Sequence, residues 1–428
     1  MSDKKYHIET LAIHAGQIPD PTTSARAVPV YRTTAYNFRN SQHGADLFAL
    51  KESGNIYARL MNPTNDVLEK RLAALDGGAA ALTFASGTAA IYFAITNIAK
   101  LGDEIVSANN LYGGTFTQFD AILPQQGINV RFTDLNDFTA VEAAINKKTR
   151  ALYIETVGNP GLGIADIEGY ASVARKHHLP LIVDATFTPP TLLRPIEHGA
   201  DIVIHSLSKW IGGHGAGIGG VVIDAGKFDW SDSKFALYNE PDRGYHGLRF
   251  AHDLGELNSL AFILRLRTVG LRNQGATLGP DAAWIFLQGV ESLPLRMARH
   301  SSNALAVAKF LQNHPKVSWV KYPGITAEKL AQKYLPEGAG GMVVFGVKGG
   351  AKEARQLVDN VKLFSIIANV GDAKSLIIHP GSTTHSQLSD EDQRKAGLQP
   401  EMIRLSIGLE HIDDIITALS DGLELIDI

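Results

Sequence analysis

Cysteine is absent from all 428 residues. That excludes a disulfide framework, a thiolate nucleophile, a thiolate-bound zinc and an iron–sulfur cluster. Surplus charge is also scarce: 40 Lys+Arg stand against 44 Asp+Glu, a balance of −4, which removes the basic footprint of a nucleic-acid binder. No uninterrupted apolar run reaches the ~20 residues that cross a bilayer, because the most apolar stretch, Ala79 to Ile95, is cut by Ser86-Gly87-Thr88. Met1 to Glu9 is polar and lacks the apolar core of a signal peptide. There is no Walker A sequence, and Gly213-His214-Gly215-Ala216-Gly217 lacks dinucleotide spacing. His177-His178 are adjacent on an expected helix, so they face apart and read as surface residues, not metal ligands. With 45% apolar and 20% charged residues, the expectation is a cytoplasmic enzyme without a metal, long enough for two or three domains.

Residues 1–62 carry Pro19, Pro21, Pro29 and many Thr and Ser. They read as an irregular arm lying across another surface, such as a second subunit. Asn62-Pro63 starts a helix, Val67, Leu68, Leu72 and Leu75 keep helical spacing, and Gly77-Gly78 ends it. Apolar runs at 81–85, 104–108, 150–155, 180–185, 201–205 and 217–223 then alternate with segments of helical period such as 88–100 and 166–178. That alternation predicts a mainly parallel sheet covered on both faces, one large α/β domain over 63–275. Past Gly279-Pro280, residues 281–313 read as helical. Strands follow at 317–321, 341–347, 362–367, 375–378 and 402–406, with helices near 351–360 and 411–424. The expectation is a smaller α+β domain over 276–428.

Four loops follow apolar strands, where open α/β sheets place their ligands. Ser86-Gly87-Thr88 opens a helix, where exposed amides attract phosphate; small residues at a strand–helix turn are also a common structural solution. Asp184 ends the run Leu181-Ile182-Val183. Such a carboxylate is costly to bury unless it meets a cation; a helix cap or a solvated loop acid is the alternative. Ser206-Leu207-Ser208-Lys209-Trp210 ends another buried strand. A partly desolvated lysine there has a lowered pKa, and its neutral amine can attack a carbonyl; the alternative is a snorkelling surface lysine. Tyr112-Gly113-Gly114-Thr115 sets an aromatic among glycines, able to lie over a flat ring. A phosphate, a ring nitrogen that takes a proton, an aldehyde and a planar ring together describe pyridoxal 5′-phosphate. Arg404, inside Met402-Ile403-Arg404-Leu405-Ser406, is a charge in an apolar strand that needs an anion or an internal salt bridge.

The chain resembles the Cys/Met-metabolism family of pyridoxal-phosphate enzymes, of fold type I. The resemblance is carried by Tyr57-Ala58-Arg59 with Asn62-Pro63-Thr64, Ser86-Gly87-Thr88, Glu155-Thr156 with Asn159-Pro160, Val183-Asp184-Ala185-Thr186, and Ser206-Leu207-Ser208-Lys209. It spans nearly the whole chain, from Thr10-Leu11-Ala12-Ile13-His14-Ala15-Gly16 to the C-terminal helix. It implies that Lys209 bears the cofactor and that Asp184 pairs with the ring nitrogen. Tyr112 is implied to stack on the ring and assist proton movement. Ser86, Gly87, Thr88, Ser206 and Ser208 would hold the phosphate, joined by Tyr57 and Arg59 of a neighbouring subunit. Asn159 would reach the ring hydroxyl, and Thr186 would line the cofactor site. Arg404, with Asn369 and Ser375, would bind the substrate, the guanidinium clamping an α-carboxylate.

Three further segments look like the sulfhydrylase branch of that family. They are Pro29-Val30-Tyr31 with Thr33-Thr34, the stretch around Lys227-Phe228-Asp229-Trp230, Glu240-Pro241-Asp242 and Tyr245-His246-Gly247, and Asn369 to Ser375 followed by Ser382-Thr383-Thr384-His385. The implied reaction is γ-replacement of O-acetyl-L-homoserine with sulfide, giving L-homocysteine and acetate, by a homotetramer of two dimers. A γ-lyase or cystathionine γ-synthase on the same cofactor is the sibling reading. Gly279-Pro280-Asp281-Ala282 departs from the family, where a more apolar helix start is expected.

Overall fold

The structure, a computed structural model, describes residues 6–384, 386 and 397–427. His385, quoted above, lies outside the described residues. The helix Pro63–Asp76 begins as its sequence requires: the Asn62 side chain accepts the Thr64 amide at 2.9 Å. It ends at Gly77 in the left-handed region, φ +75°, where glycine carries no side-chain penalty. Leu68, Leu72 and Leu75 are fully buried and fix this helix to the sheet that follows.

That sheet has seven strands: β1 (Ala80–Phe84), β2 (Glu104–Ala108), β3 (Asn129–Thr133), β4 (Thr149–Glu155), β5 (Leu181–Asp184), β6 (Ile202–Ser206) and β7 (Gly220–Asp224). Their order is β1-β7-β6-β5-β4-β2-β3. Strands β2 to β6 pair in parallel, and β7 runs antiparallel to both its neighbours. β3 was not expected. Its sequence, Asn-Val-Arg-Phe-Thr, alternates exposed and half-buried positions at the sheet edge, so it offers no continuous apolar run. β7 starts at Gly220 and not at 217 because the Gly219 amide is taken by Ser208 Oγ at 3.0 Å.

Alternate residues feed two cores. Val183 and Val203 pack with the helix Pro63–Asp76, while Ile182 and Ile204 pack with the helix Gly87–Thr96 on the opposite face. The segment 226–250 covers this second face with Trp230, Phe235, Tyr238, Tyr245 and Phe250, Trp230 stacking on Tyr238 at 4.5 Å.

The second sheet comprises β8 (Val317–Lys321), β9 (Met342–Val347), β10 (Ser365–Ile366), β11 (Leu376–Ile378) and β12 (Met402–Ser406), ordered β10-β11-β12-β9-β8. The helices Leu293–Gln312 and Ala351–Asn360 pack on it, Ile412–Glu424 packs on both of them, and Pro280–Glu291 packs on the helix Pro63–Asp76. The first core does not stop at the boundary: Val183, Leu287, Val307, Val343 and Leu405 belong to one cluster of buried side chains. Gly279-Pro280-Asp281 is a helix start with proline in the first turn. Asp281 there accepts from Arg32 Nε at 2.8 Å, tying the arm to the helix. Among the described residues, no helix is long and apolar enough to cross a membrane.

Asp224 lies at the end of the large sheet opposite Ser206, since Ser206 pairs with Gly220 and Ile202 with Asp224. Its Oδ1 accepts the Gly226 amide at 2.8 Å, and burial pushes the carboxyl up to about 7. A folded-state pKa above the ordinary carboxylate value means that the folded chain holds the extra proton. The contribution to stability is therefore complete in acid and is lost as pH rises through about 7. Asp224→Asn keeps the acceptor without the charge. Its melting temperature should exceed the parent's by several degrees at pH 8, with the gap narrowing as pH falls toward 4; a gap independent of pH would refute this account.

Candidate active site

The site forms where β4, β5 and β6 end and the helix Gly87–Thr96 begins. Ser86 caps that helix: its Oγ accepts the Ala89 amide at 3.0 Å and lies 3.1 Å from the Thr88 hydroxyl. A β-carbon on Gly87 would sit 2.7 Å from that of Ser206, so only glycine lets β6 close on the helix terminus. Ser86, Gly87, Thr88 and Ser206 thus gather hydroxyls and amides at one helix terminus, chemistry suited to phosphate. Thr186 ties this group to β5, its Oγ1 accepting the Ser206 amide at 2.9 Å while its own amide donates to Asp184 Oδ1 at 2.9 Å. Ser208 Oγ accepts the Gly219 amide and steadies the turn bearing Lys209.

Asp184 is only 8% exposed and forms no ion pair among the described residues. It is neither solvated nor a helix cap. Burial pushes its carboxyl up, as expected of an acid that lacks a cation. Lys209 Nζ donates to Asn369 Oδ1 at 2.6 Å. Burial first, and the Arg404 charge second, hold its ammonium below the usual lysine range, which makes the neutral, nucleophilic amine more accessible. A β-carbon on Gly371, φ +80°, would meet Trp210 N at 2.6 Å; the loop holding Asn369 therefore presses directly on the lysine's backbone.

Arg404 comes from β12 of the second sheet and is 6% exposed. Its Nη1 donates to Asn159 Oδ1 at 3.0 Å, and burial pushes the guanidinium down to about 10. Among the described residues no carboxylate pairs with it. Tyr112 stands in the loop after β2, half-exposed, with its amide donating to Glu155 Oε1 at 2.8 Å. A β-carbon on Gly114 would lie 2.5 Å from the Tyr112 ring, so the glycine makes room for it.

Three expected residues stand apart from this cluster. Ser375 is fully buried; its hydroxyl donates to Glu410 Oε2 at 2.9 Å and accepts the Gly408 amide at 2.9 Å. Tyr57 and Arg59 are exposed, the guanidinium 5.0 Å from the ring centre. Arg59 Nε donates to Arg272 O at 2.8 Å, and among the described residues no hydrogen bond links either side chain to Ser86, Ser206 or Lys209. Residues with no role assigned from sequence also shape the site. Arg296 donates to Trp210 O at 2.6 Å and Ile211 O at 3.0 Å, fixing the turn after Lys209. Glu155 ends an apolar strand as Asp184 does, a signal present in the sequence; Arg296 and Glu410 act across long chain separations that leave no local signal.

A family model described as Cys/Met metabolism PLP-dependent enzyme matches residues 9–424. The chain belongs to this PLP-dependent family. A relative from Leptospira meyeri named O-acetyl-L-homoserine sulfhydrylase is 51% identical over 98% of this chain and 97% of its own length. The homocysteine synthase of Schizosaccharomyces pombe is 51% identical over 98% of each chain. A crystal structure from Campylobacter jejuni, described as a candidate O-acetylhomoserine (thiol)-lyase, matches with a TM-score of 0.94 at 42% identity. That match covers 98% of this chain and 100% of the other, which carries a pyridoxyl-lysine monophosphate. Pyridoxal 5′-phosphate is the cofactor of this PLP-dependent chain. The residues present fit it: hydroxyls and amides at a helix terminus, a buried carboxylate without a cation, and a desolvated amine.

Proposed function

We propose that the chain replaces the acetoxy group of O-acetyl-L-homoserine with sulfide, giving L-homocysteine and acetate in methionine biosynthesis. What carries this reading is the match at 51% identity, over 98% of this chain, to an enzyme named for that activity. The cofactor supplies an aldehyde that joins amines and a protonated ring that accepts the electron pair released at the α-carbon. Ser86, Gly87, Thr88, Ser206 and Ser208 would hold the phosphate, with Tyr57 and Arg59 of a second protomer. Thr186 orients Asp184, which would keep the ring nitrogen protonated, and Asn159 would bind the ring hydroxyl. Tyr112 would stack on the ring. Arg404 binds the α-carboxylate, which presents the α-proton to Lys209; the same mobile amine then serves the β-carbon, so that acetate leaves from the γ-carbon and sulfide takes its place. Asn369 accepts the Lys209 ammonium between transfers, and Ser375 acts through the loop that it fixes with Glu410.

The exposed Tyr57 and Arg59 support a dimer in which each arm completes its neighbour's site, two such dimers forming a cytoplasmic homotetramer. Breaks after residues 62 and 275 divide the chain into arm, cofactor domain and C-terminal domain. The deciding experiment incubates cofactor-saturated protein with O-acetyl-L-homoserine, with and without sulfide. Homocysteine formed only with sulfide is the expected result. Release of 2-oxobutyrate and ammonia without sulfide would make it a lyase, and cystathionine from added cysteine would make it a synthase.

A further inference from the structure

Glu155 carries the same signal as Asp184 and has no task in the chemistry above. It ends β4 beside Asp184 on β5, the two paired in parallel register. Their side chains therefore leave one face of the sheet a strand spacing apart, roughly 4.8 Å. They are 6% and 8% exposed, and neither forms an ion pair among the described residues. Two carboxylates so placed cannot both ionise without large cost, so the pair retains a proton.

The surroundings of each acid decide which one holds it. Asp184 receives the Thr186 amide at 2.9 Å and has the Tyr153 hydroxyl at 3.5 Å. The buried His205 on β6 adds its field, its Nε2 lying 2.9 Å from Asp76 Oδ2 of the helix Pro63–Asp76. Among the described residues the one hydrogen bond to the Glu155 side chain comes from a neutral donor, the Tyr112 amide at 2.8 Å. Burial and the Asp184 charge push its carboxyl far above the usual range. The Arg404 guanidinium lies within electrostatic reach of Tyr112.

We propose that Glu155 is a positioning residue that stays neutral in the cofactor-loaded site, its carbonyl oxygen holding the Tyr112 backbone over the ring while Asp184 alone presents a charge to the ring nitrogen. This rests on the roles given above to Asp184 and Tyr112. An ionised Glu155 would set a second negative charge beside a site built for one. A shortened side chain would strand the Tyr112 amide.

Two variants of the cofactor-loaded enzyme test the proposal. Glu155→Gln keeps the shape and the acceptor but cannot ionise. Its affinity for pyridoxal 5′-phosphate should stay within about threefold of the parent, and the pH midpoint of the bound cofactor's visible absorption within about 0.3. Glu155→Ala removes the acceptor; the dissociation constant should rise about tenfold, with loss of the visible circular dichroism that reports a fixed ring. A midpoint moved by about one unit or more in Glu155→Gln would mean that the native side chain is ionised. That result overturns the proposal even if Glu155→Ala does not fold, and so does unchanged affinity in a folded Glu155→Ala. A parent protein that bound no pyridoxal 5′-phosphate would overturn the reading of the site as well, whereas these variant results overturn the positioning role alone.

Discussion

Lys209→Ala should lose γ-replacement activity by at least about 10⁴-fold, because one amine serves both as the attachment point and as the base for every proton transfer. The structure gives that amine the required properties. It sits in a half-buried turn, its ammonium lowered by desolvation and by Arg404, with Asn369 Oδ1 at 2.6 Å as its acceptor. Arg296 fixes the turn from behind through Trp210 O and Ile211 O, so the loss of the amine should not disturb the backbone. Borohydride reduction followed by peptide mass mapping checks the assignment separately from turnover. The parent should carry the cofactor's mass on the peptide containing residue 209, and the variant should carry none. A parent labelled at any other lysine would sink the assignment.

Arg404→Ala should lower kcat/KM for O-acetyl-L-homoserine by about 10² to 10³-fold, since truncating one partner of a buried charge-assisted pair costs roughly 2–5 kcal/mol. Arg404→Lys should recover only part of this, because an ammonium cannot reproduce a bidentate fork. The pH profile supplies a second readout. The Arg404 charge lowers the Lys209 pKa, so in Arg404→Ala the lysine becomes harder to deprotonate. The acidic limb of kcat, which reports the amine once substrate has displaced it and where it must be neutral, should move to higher pH. Stopped-flow binding of pyridoxal 5′-phosphate should change far less than substrate turnover; equal losses in both would mean that Arg404 belongs to the cofactor site.

Lys209, Asp184 and Arg404 were legible in the sequence for a shared reason: each is a polar group at the end of, or inside, a run that is otherwise apolar, and burial makes such a residue expensive without a ligand. The structure keeps all three buried or half-buried, and among the described residues gives neither Asp184 nor Arg404 an ion-pair partner. Glu155 offered the same cue, but a sequence does not show that β4 and β5 set it next to Asp184. Ser375 was equally opaque, since its hydroxyl is engaged by Glu410, 35 positions away. Among the strands, those packed on both faces announced themselves through continuous Val, Ile and Leu. The edge strand Asn129–Thr133, with one face toward water, did not.

The buried cluster that runs from Val183 through Leu287 to Val343 and Leu405 also sets how this molecule can move. The two sheets share an interior, so neither can swing as a rigid body without uncovering apolar surface to water. Entry and exit of small molecules must then rely on short surface segments, such as the glycine-flanked stretch carrying Tyr112, and a fragment severed near Gly275 would inherit half of a core.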